Sequence, residues 1–484
     1  MVGIVQLLMA VFRLSFLTAY LSDQLIGGFT TGAACHVFAS QLNKVIGVPV
    51  KKYNGLFDLY YTLRDIVEGV PHTNMPTLVV SIVAFIFLLV GKEIINPKVR
   101  KHSPVPIPFE LIAVIVATAA SHFFNFEGEY KISVVSHIPT GFPEPKLPRL
   151  DLIPQLLGDA VSVAVVTFVV TVSVGKLFAK KHGYVIDSMQ ELRALGAIQC
   201  IVSTLSCHPA SGGLTRSVLN SQIGVKTQIS CLFSGSLLLV VILWLGPLLE
   251  PLPMCVLSCI IIIALKGMFM QLLDLKTLWP VSKIDFAIWL VSFVATAGWD
   301  VTEGLIISVV FALFTVIFRL QWPKTVELGR LPHSDLYRDV TRYNAADLVE
   351  GVRVMRFDSP LLFTNIEIFK RRAHKLVEPR EQPVKNGSRP VKALVIDGSG
   401  FTCIDCMGVG ALKEVSQEMK SKGVKVYFAS CKAPVRDLFE SSGFYEVVPK
   451  ARFYPSIHDA IIYALCEGIA EKKEEQPISQ ISHL

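Results

Sequence analysis

The residues best suited to chemistry lie in Ser211-Gly212-Gly213-Leu214-Thr215-Arg216-Ser217-Val218-Leu219. Pro209, Gly212 and Gly213 interrupt helix geometry, and a helix that restarts after them leaves its first N–H groups without intrahelical partners. Those donors and the helix dipole attract anions. Arg216 in the first turn adds a full positive charge, and Thr215 adds a hydroxyl able to cap the helix. Backbone donors, the Thr215 hydroxyl and the Arg216 cation together make an anion-binding constellation. Two placements are open. The stretch is either a broken helix inside a membrane, tolerated where it is buried or lines a wet cavity, or a water-facing connector in which Arg216 is merely solvated. His208 reads as a loop residue in both.

Glu110 and Asp159 are the acidic residues closest to the interiors of apolar segments, where a charge is expensive and marks a coupling or cavity position. Glu110 follows Pro104, Pro106 and Pro108, so an interfacial position is equally open; Asp159 stands about seven residues into its segment, which favours a cavity. Glu191, after Asp187-Ser188, reads as support for a helix start. No Walker A, HExxH or Ser-His-Asp arrangement is visible, so the chain reads as neither an ATP-driven pump nor an enzyme, with no cofactor. Asp397-Gly398-Ser399-Gly400 lacks the G-x-S-x-G pattern and reads as a strand-to-helix loop. Cys403 and Cys406 have CxxC spacing without a second pair or a nearby His, so no metal site is expected. The ten cysteines do not form a disulfide framework.

The elements that must position these residues are mostly apolar. Of 484 residues 52% are hydrophobic and 18% charged, against about 25% charged in a soluble domain. The deficit falls in residues 1–322, where candidate membrane spans run over 2–20, 25–48, 76–95, 106–126, 152–179, 195–206, 228–249, 252–272, 284–298 and 303–321. The first two are either separate spans or one long broken helix. The second is rich in small residues (Gly27, Gly28, Gly32, Ala33, Ala34) that let helices approach closely. Lys and Arg cluster after the third, fifth and eighth spans, whereas 246–253 and 298–303 carry none. The positive-inside rule places the former loops, and everything after the last span, in the cytosol. The net charge of +7 carries no basic run interleaved with aromatics, so nucleic acid is not an expected partner.

Residues 323–350 read as a connector, 351–470 as a soluble α/β module and 471–484 as a disordered tail. Within the module, 352–357, 393–397 and 424–429 read as strands, and 366–376, 409–420 and 433–441 as helices. That alternation implies a small open sheet with helices packed on it. Residues 379–390 read as a flexible excursion.

Several stretches, taken together and in order, resemble the SulP family of sulfate permeases, pendrin-like exchangers and prestin. They are Gly28-Phe29-Thr30-Thr31-Gly32-Ala33-Ala34, residues 44–47, His182-Gly183-Tyr184 with Gln190-Glu191-Leu192, Thr215-Arg216-Ser217, Gly224-Val225-Lys226-Thr227-Gln228 and Leu265-Lys266-Gly267-Met268-Phe269. The C-terminal module resembles that family's STAS domain (sulfate transporter and anti-sigma factor antagonist). The resemblance implies a polytopic α-helical transporter built as an inverted repeat of about seven plus seven spans, with a core domain moving against a gate domain. It implies anion binding between facing half-helix N-termini, at Thr215 and Arg216 with Gly213 and Leu214 contributing backbone groups. Against that pattern the chain starts at the fifth span, leaving the second repeat whole and only the gate part of the first. Where anti-sigma-type STAS domains carry a phosphorylatable Ser, this chain has Asp405-Cys406-Met407-Gly408, so phosphoryl switching is not expected.

The resemblance makes secondary transport or exchange of sulfate, chloride, bicarbonate or oxalate the leading expectation. The partners are then small anions and the bilayer, at the plasma membrane, with a homodimer or an assembly with a full-length paralogue through membrane and STAS contacts. The alternative is a non-transporting truncated subunit that modulates a full-length transporter. A voltage-driven motor or channel-like protein is a third.

Overall fold

The computed structural model describes residues 1–19, 22–51, 53, 55–99, 107–146, 149–213, 216, 217, 220, 221, 224–378 and 390–474. Its contacts divide the chain into two compact units, Met1–Leu313 and Phe314–Leu484.

Among the described residues, the regular structure of the first unit is helical. We label the main helices up to Gln321 α1 (Val2–Val11), α2 (Asp23–Ile46), α3 (Asp58–Gly69), α4 (Met75–Val90), α5 (Phe109–Phe123), α6 (Ile153–His182), α7 (Ser188–Ser203), α8 (Ile229–Val240), α9 (Met254–Phe269), α10 (Asp274–Val281), α11 (Lys283–Gly298) and α12 (Val301–Gln321), the last of which runs on past Leu313. Among the described residues, each of the ten expected spans coincides for most of its length with helix. Among the described residues, however, only four helical runs are long and apolar enough to cross a membrane: Met75–Val99, Ile153–His182, Met254–Val281 and Val301–Gln321. The others are shorter, and helix α3 was not foreseen because Asp58, Arg64, Asp65 and Glu68 break its apolar run. Local signals set the ends. Ser22 caps α2 by accepting from the Leu25 N–H, and Gly47 closes it in the left-handed conformation at φ 75°. Gly183 ends α6 in the same way at φ 72°, after Lys180, Lys181 and His182 complement the dipole.

The helices of this unit pack in two clusters. In one, α1 lies on α6 and α7 through Met9, Ala10, Phe168, Val172, Leu192 and Leu195. Gln6, fully buried there, donates to the Ala164 carbonyl at 3.1 Å and to Thr167 Oγ1 at 2.8 Å, so its amide nitrogen is satisfied. Helix α1 thus packs with α6 and α7 rather than on α2. In the other cluster α2 packs on α11, α9 and α4. Gly28 and Gly32 make the α2–α11 approach possible, because a Cβ on Gly28 would run into the Trp289 carbonyl and one on Gly32 would lie 2.7 Å from Thr296 Cβ. Leu88, Phe109, Ala113, Val256, Cys259 and Ile263 join α4, α5 and α9.

The second unit carries a six-stranded sheet: β1 (Thr325–Arg330), β2 (Tyr337–Asp339), β3 (Val352–Phe357), β4 (Ala393–Asp397), β5 (Lys425–Ala429) and β6 (Phe453–Tyr454), in the order β2-β1-β3-β4-β5-β6. Strands β3 to β6 are parallel; β1 pairs antiparallel with β2 and β3. Residues 323–350, expected as a connector, therefore supply two strands of the sheet. Helices α13 (Ile366–Val377), α14 (Cys406–Ser421) and α15 (Ala433–Ser441) cover one face. Helix α16 (Ile457–Glu474) covers the other through Ala460, Ile461 and Ala464, so residues 471–474, expected in a disordered tail, are helical. Every residue of β4 is buried, as a parallel strand covered on both faces requires. The excursion at 379–389 and residues 475–484 lie outside the described residues.

Candidate functional site

The interrupted segment is built against α6 and α7. After α7 the chain turns at residues 204–206 and runs without regular structure through 207–213. Two side chains hold that run. Gln199, 5% exposed on α7, clamps Ala210 in both directions: its Nε2 donates to the Ala210 carbonyl at 2.6 Å, and the Ala210 N–H donates to its Oε1 at 3.2 Å. Two steps on, the Gly212 N–H donates to Thr171 Oγ1 on α6 at 2.9 Å. A Cβ at Gly212 would sit 3.1 Å from Thr171 Cα, so glycine is what permits this approach.

Helix then resumes. The Ser217 N–H donates to the Gly213 carbonyl at 3.0 Å, the i to i−4 bond of an α-helix. Among the described residues, the Arg216 N–H has no such bond, as expected in the first turn of a helix. Arg216 is exposed, and among the described residues no carboxylate stands within ion-pair distance of its guanidinium. Further along, Ser221 Oγ accepts from Lys181 Nζ at 2.8 Å and meets His182 Nε2 at 2.9 Å, both at the end of α6. The segment thus follows α6 from Thr171 to His182. Those 11 residues of helix span about 16 Å, so the break lies beside the interior of the 30-residue α6 and not at its end.

Of the residues expected at the site, Gly213 and Arg216 are placed at this restart; Leu214 and Thr215 lie outside the described residues. Asp159 is exposed on the same α6, lining a cavity of about 410 Å³ with Gln199, Ser203, Cys207 and Pro209. Glu110 is not brought to the segment. It sits in the first turn of α5, in the other cluster, with its Oε1 3.3 Å from Lys92 Nζ and the pair half-exposed. Glu191 stands in the first turn of α7, but the cap is Asp187, which accepts from the Met189 and Gln190 N–H groups at 2.8 and 3.4 Å. Sequence reasoning missed Thr171 and Gln199. The only signal was an uncharged polar side chain in an apolar helix, which many satisfied core residues share.

In the second unit the Asp405-Cys406-Met407-Gly408 stretch opens α14. Asp405 accepts from the Gly408 N–H at 2.7 Å and, from across the loop, from the Phe363 N–H at 2.8 Å. Asp397 is 2% exposed and caps the turn at Gly398–Gly400; burial raises its carboxyl above the usual range despite two bonds from Ser399. Cys431 packs beside it, and burial followed by the neighbouring Asp397 pushes its thiol up to about 12.

Comparison with known proteins agrees with this architecture. The sulfate permease family model matches residues 1–292, and the STAS domain model matches residues 343–460. Sulfate permease family protein 3 of Caenorhabditis elegans is 35% identical across 95% of the chain and 63% of its own length. Pendrin of Mus musculus is 34% identical across 96% of the chain and 68% of its own length. The chain thus spans just under two thirds of the first relative's length and slightly more of the second's. The structure of the murine Solute Carrier 26 family member A9 anion transporter in the inward-facing state superimposes with a TM-score of 0.86 at 31% identity, covering 96% of this chain and 74% of that one. The chain is a multi-pass membrane protein of the sulfate permease family with a C-terminal STAS domain.

Proposed function

We propose that this protein exchanges small anions of the sulfate, chloride, bicarbonate or oxalate class across a membrane by alternating access. The anion is held at the helix restart by backbone N–H groups of Gly213 and Leu214, the Thr215 hydroxyl and the Arg216 guanidinium. The observation that carries this reading is the bond from the Gly212 N–H to Thr171 in the interior of α6, which supports a break alongside that helix rather than beyond its end. The relatives' names point to the same class of solute. The two helix clusters support alternating access: the α1–α6–α7 cluster moves against the α2–α4–α9–α11 cluster and so exposes the restart to each side in turn. Asp159, on the first cluster, is the candidate for a coupling role; Glu110, paired with Lys92, belongs to the second and acts at its edge. The STAS domain faces the cytosol at the plasma membrane, and self-association occurs through membrane and STAS surfaces. No energy source beyond the solute gradients is needed.

The test is exchange in proteoliposomes carrying the 484-residue chain. Labelled sulfate is expected to enter faster when chloride or bicarbonate is trapped inside. Uptake no faster than in protein-free liposomes, for each of the four anions, would overturn the proposal.

A further inference from the structure

Another cavity, of about 370 Å³, opens at the C-terminal end of α2, and Arg216 is not among its lining residues. It lies where the end of α2, the start of α4 and the start of α9 converge on the loop at 131–133. Gly47 permits that convergence: it stands at φ 75°, and a Cβ there would lie 3.2 Å from Asn74 Cβ and 3.3 Å from Thr77 Cβ. Two cations line the space, Lys44 in the last turn of α2 and Lys131 in the loop. Among the described residues neither has a carboxylate partner. The Asn43 amide also lines it, and its Oδ1 is buried with no hydrogen-bond partner. A buried polar atom left unpaired costs about 1–3 kcal/mol and is ordinarily met by water or a ligand. An amide there can also turn its nitrogen toward an acceptor. Helix α9 begins at the cavity with Pro253 as N-cap and no side-chain cap, so its dipole adds to the two lysines.

We propose that this cavity binds a small oxyanion of the phosphate or bicarbonate kind, separate from the restart at Gly213. Lys44 and Lys131 supply charge, Asn43 and Thr77 supply hydrogen bonds, and the volume admits the ion with several waters at about 30 Å³ each. An occupied cavity ties α2, α4 and α9 together at one end, and so stiffens the cluster against which α6 and α7 would move. The site does not depend on Arg216, and the motif at 44–47 acquires a role that the restart leaves unassigned.

The test is hydrogen exchange on the full chain in phosphate-free detergent, with inorganic phosphate against isethionate at equal ionic strength. Phosphate is expected to slow exchange at least threefold in residues 43–49, 74–78 and 254–258, in the unaltered chain and in Arg216→Ala alike. The Lys44→Gln/Lys131→Gln pair should lose that protection. Lys131→Glu alone, an exposed change that leaves packing intact, should lose it too. Protection without added phosphate in phospholipid nanodiscs, lost in the same variants, would identify a lipid head group as the source and retain the site. No protection beyond isethionate, or protection that survives both lysine variants, overturns the proposal.

Discussion

At the scale of single residues, the account turns on side chains that hold backbone in place. Gln199 satisfies both polar groups of Ala210, and nothing else described does so. Gln199→Leu keeps the volume but leaves that N–H and carbonyl unpaired, a penalty of about 1–3 kcal/mol. Its expected signature is a raised KM for the anion with a lowered thermal midpoint, read by exchange kinetics and by calorimetry. A lowered midpoint with an unchanged KM would mean that Gln199 supports the fold alone. Cys431 makes a different kind of prediction. With its thiol pushed up to about 12 by burial, it stays protonated at neutral pH, whereas Cys403 and Cys406 are exposed. Brief alkylation at pH 7.5 should label Cys403 and Cys406 and spare Cys431, as peptide mass spectrometry would report.

At the scale of elements, close helix approach depends on glycine. Gly28→Val would drive a branched side chain into the Trp289 carbonyl and the Ser292 side chain, so α2 and α11 must part. Overpacking of this kind costs about 1–3 kcal/mol. A thermal midpoint within a degree of the unaltered chain's would contradict the packing described. These glycines were legible in the sequence as a small-residue stripe, and the helices at 366–376 and 433–441 were legible from their periodicity. The strands at 352–357 and 393–397 were legible for the same reason. Strands β1 and β2 were not, because β2 has only three residues and β1 reads as amphipathic connector until its partners are known. The partner of α1 was equally invisible: an apolar helix announces that it is buried, not against which helix. The restart at Gly213 could be read as a break, but its placement stayed open between a membrane-buried helix and a connector. Its position beside α6 is given by the bond between Gly212 and Thr171, 41 residues earlier, which no local pattern records.

At the scale of the whole molecule, two folded units carry different chemistry. The second is held in part by α16, whose Glu467 accepts from the Tyr427 hydroxyl and pairs with Lys425 at 2.9 Å, both on β5. The Tyr427 bond, and then Lys425, hold the Glu467 carboxyl below its ordinary value. A depressed folded pKa means that the unfolded chain binds more protons in that window. The contribution is therefore complete above the unfolded value of about 4.3 and is lost as pH falls through the folded one. Glu467→Gln should lower the STAS transition at pH 6, and the difference from the unaltered chain should shrink as pH falls below the ordinary carboxylate value. A difference that stays constant from pH 6 to pH 3 would show that the carboxylate charge plays no part. The proposed transport belongs to this scale too, since it would use both helix clusters as well as the interrupted segment.

The most direct measurement is sulfate-for-chloride exchange in proteoliposomes by the unaltered chain, Arg216→Ala and Arg216→Lys. Loss of a charge-assisted contact to the anion should cost Arg216→Ala about 1.4 kcal/mol or more, which is tenfold or more in the sulfate dependence of exchange. Arg216→Lys, which keeps the charge without the planar fork, should fall between the two. Exchange by Arg216→Ala with the same rate and the same sulfate dependence as the unaltered chain would contradict an anion site at the helix restart.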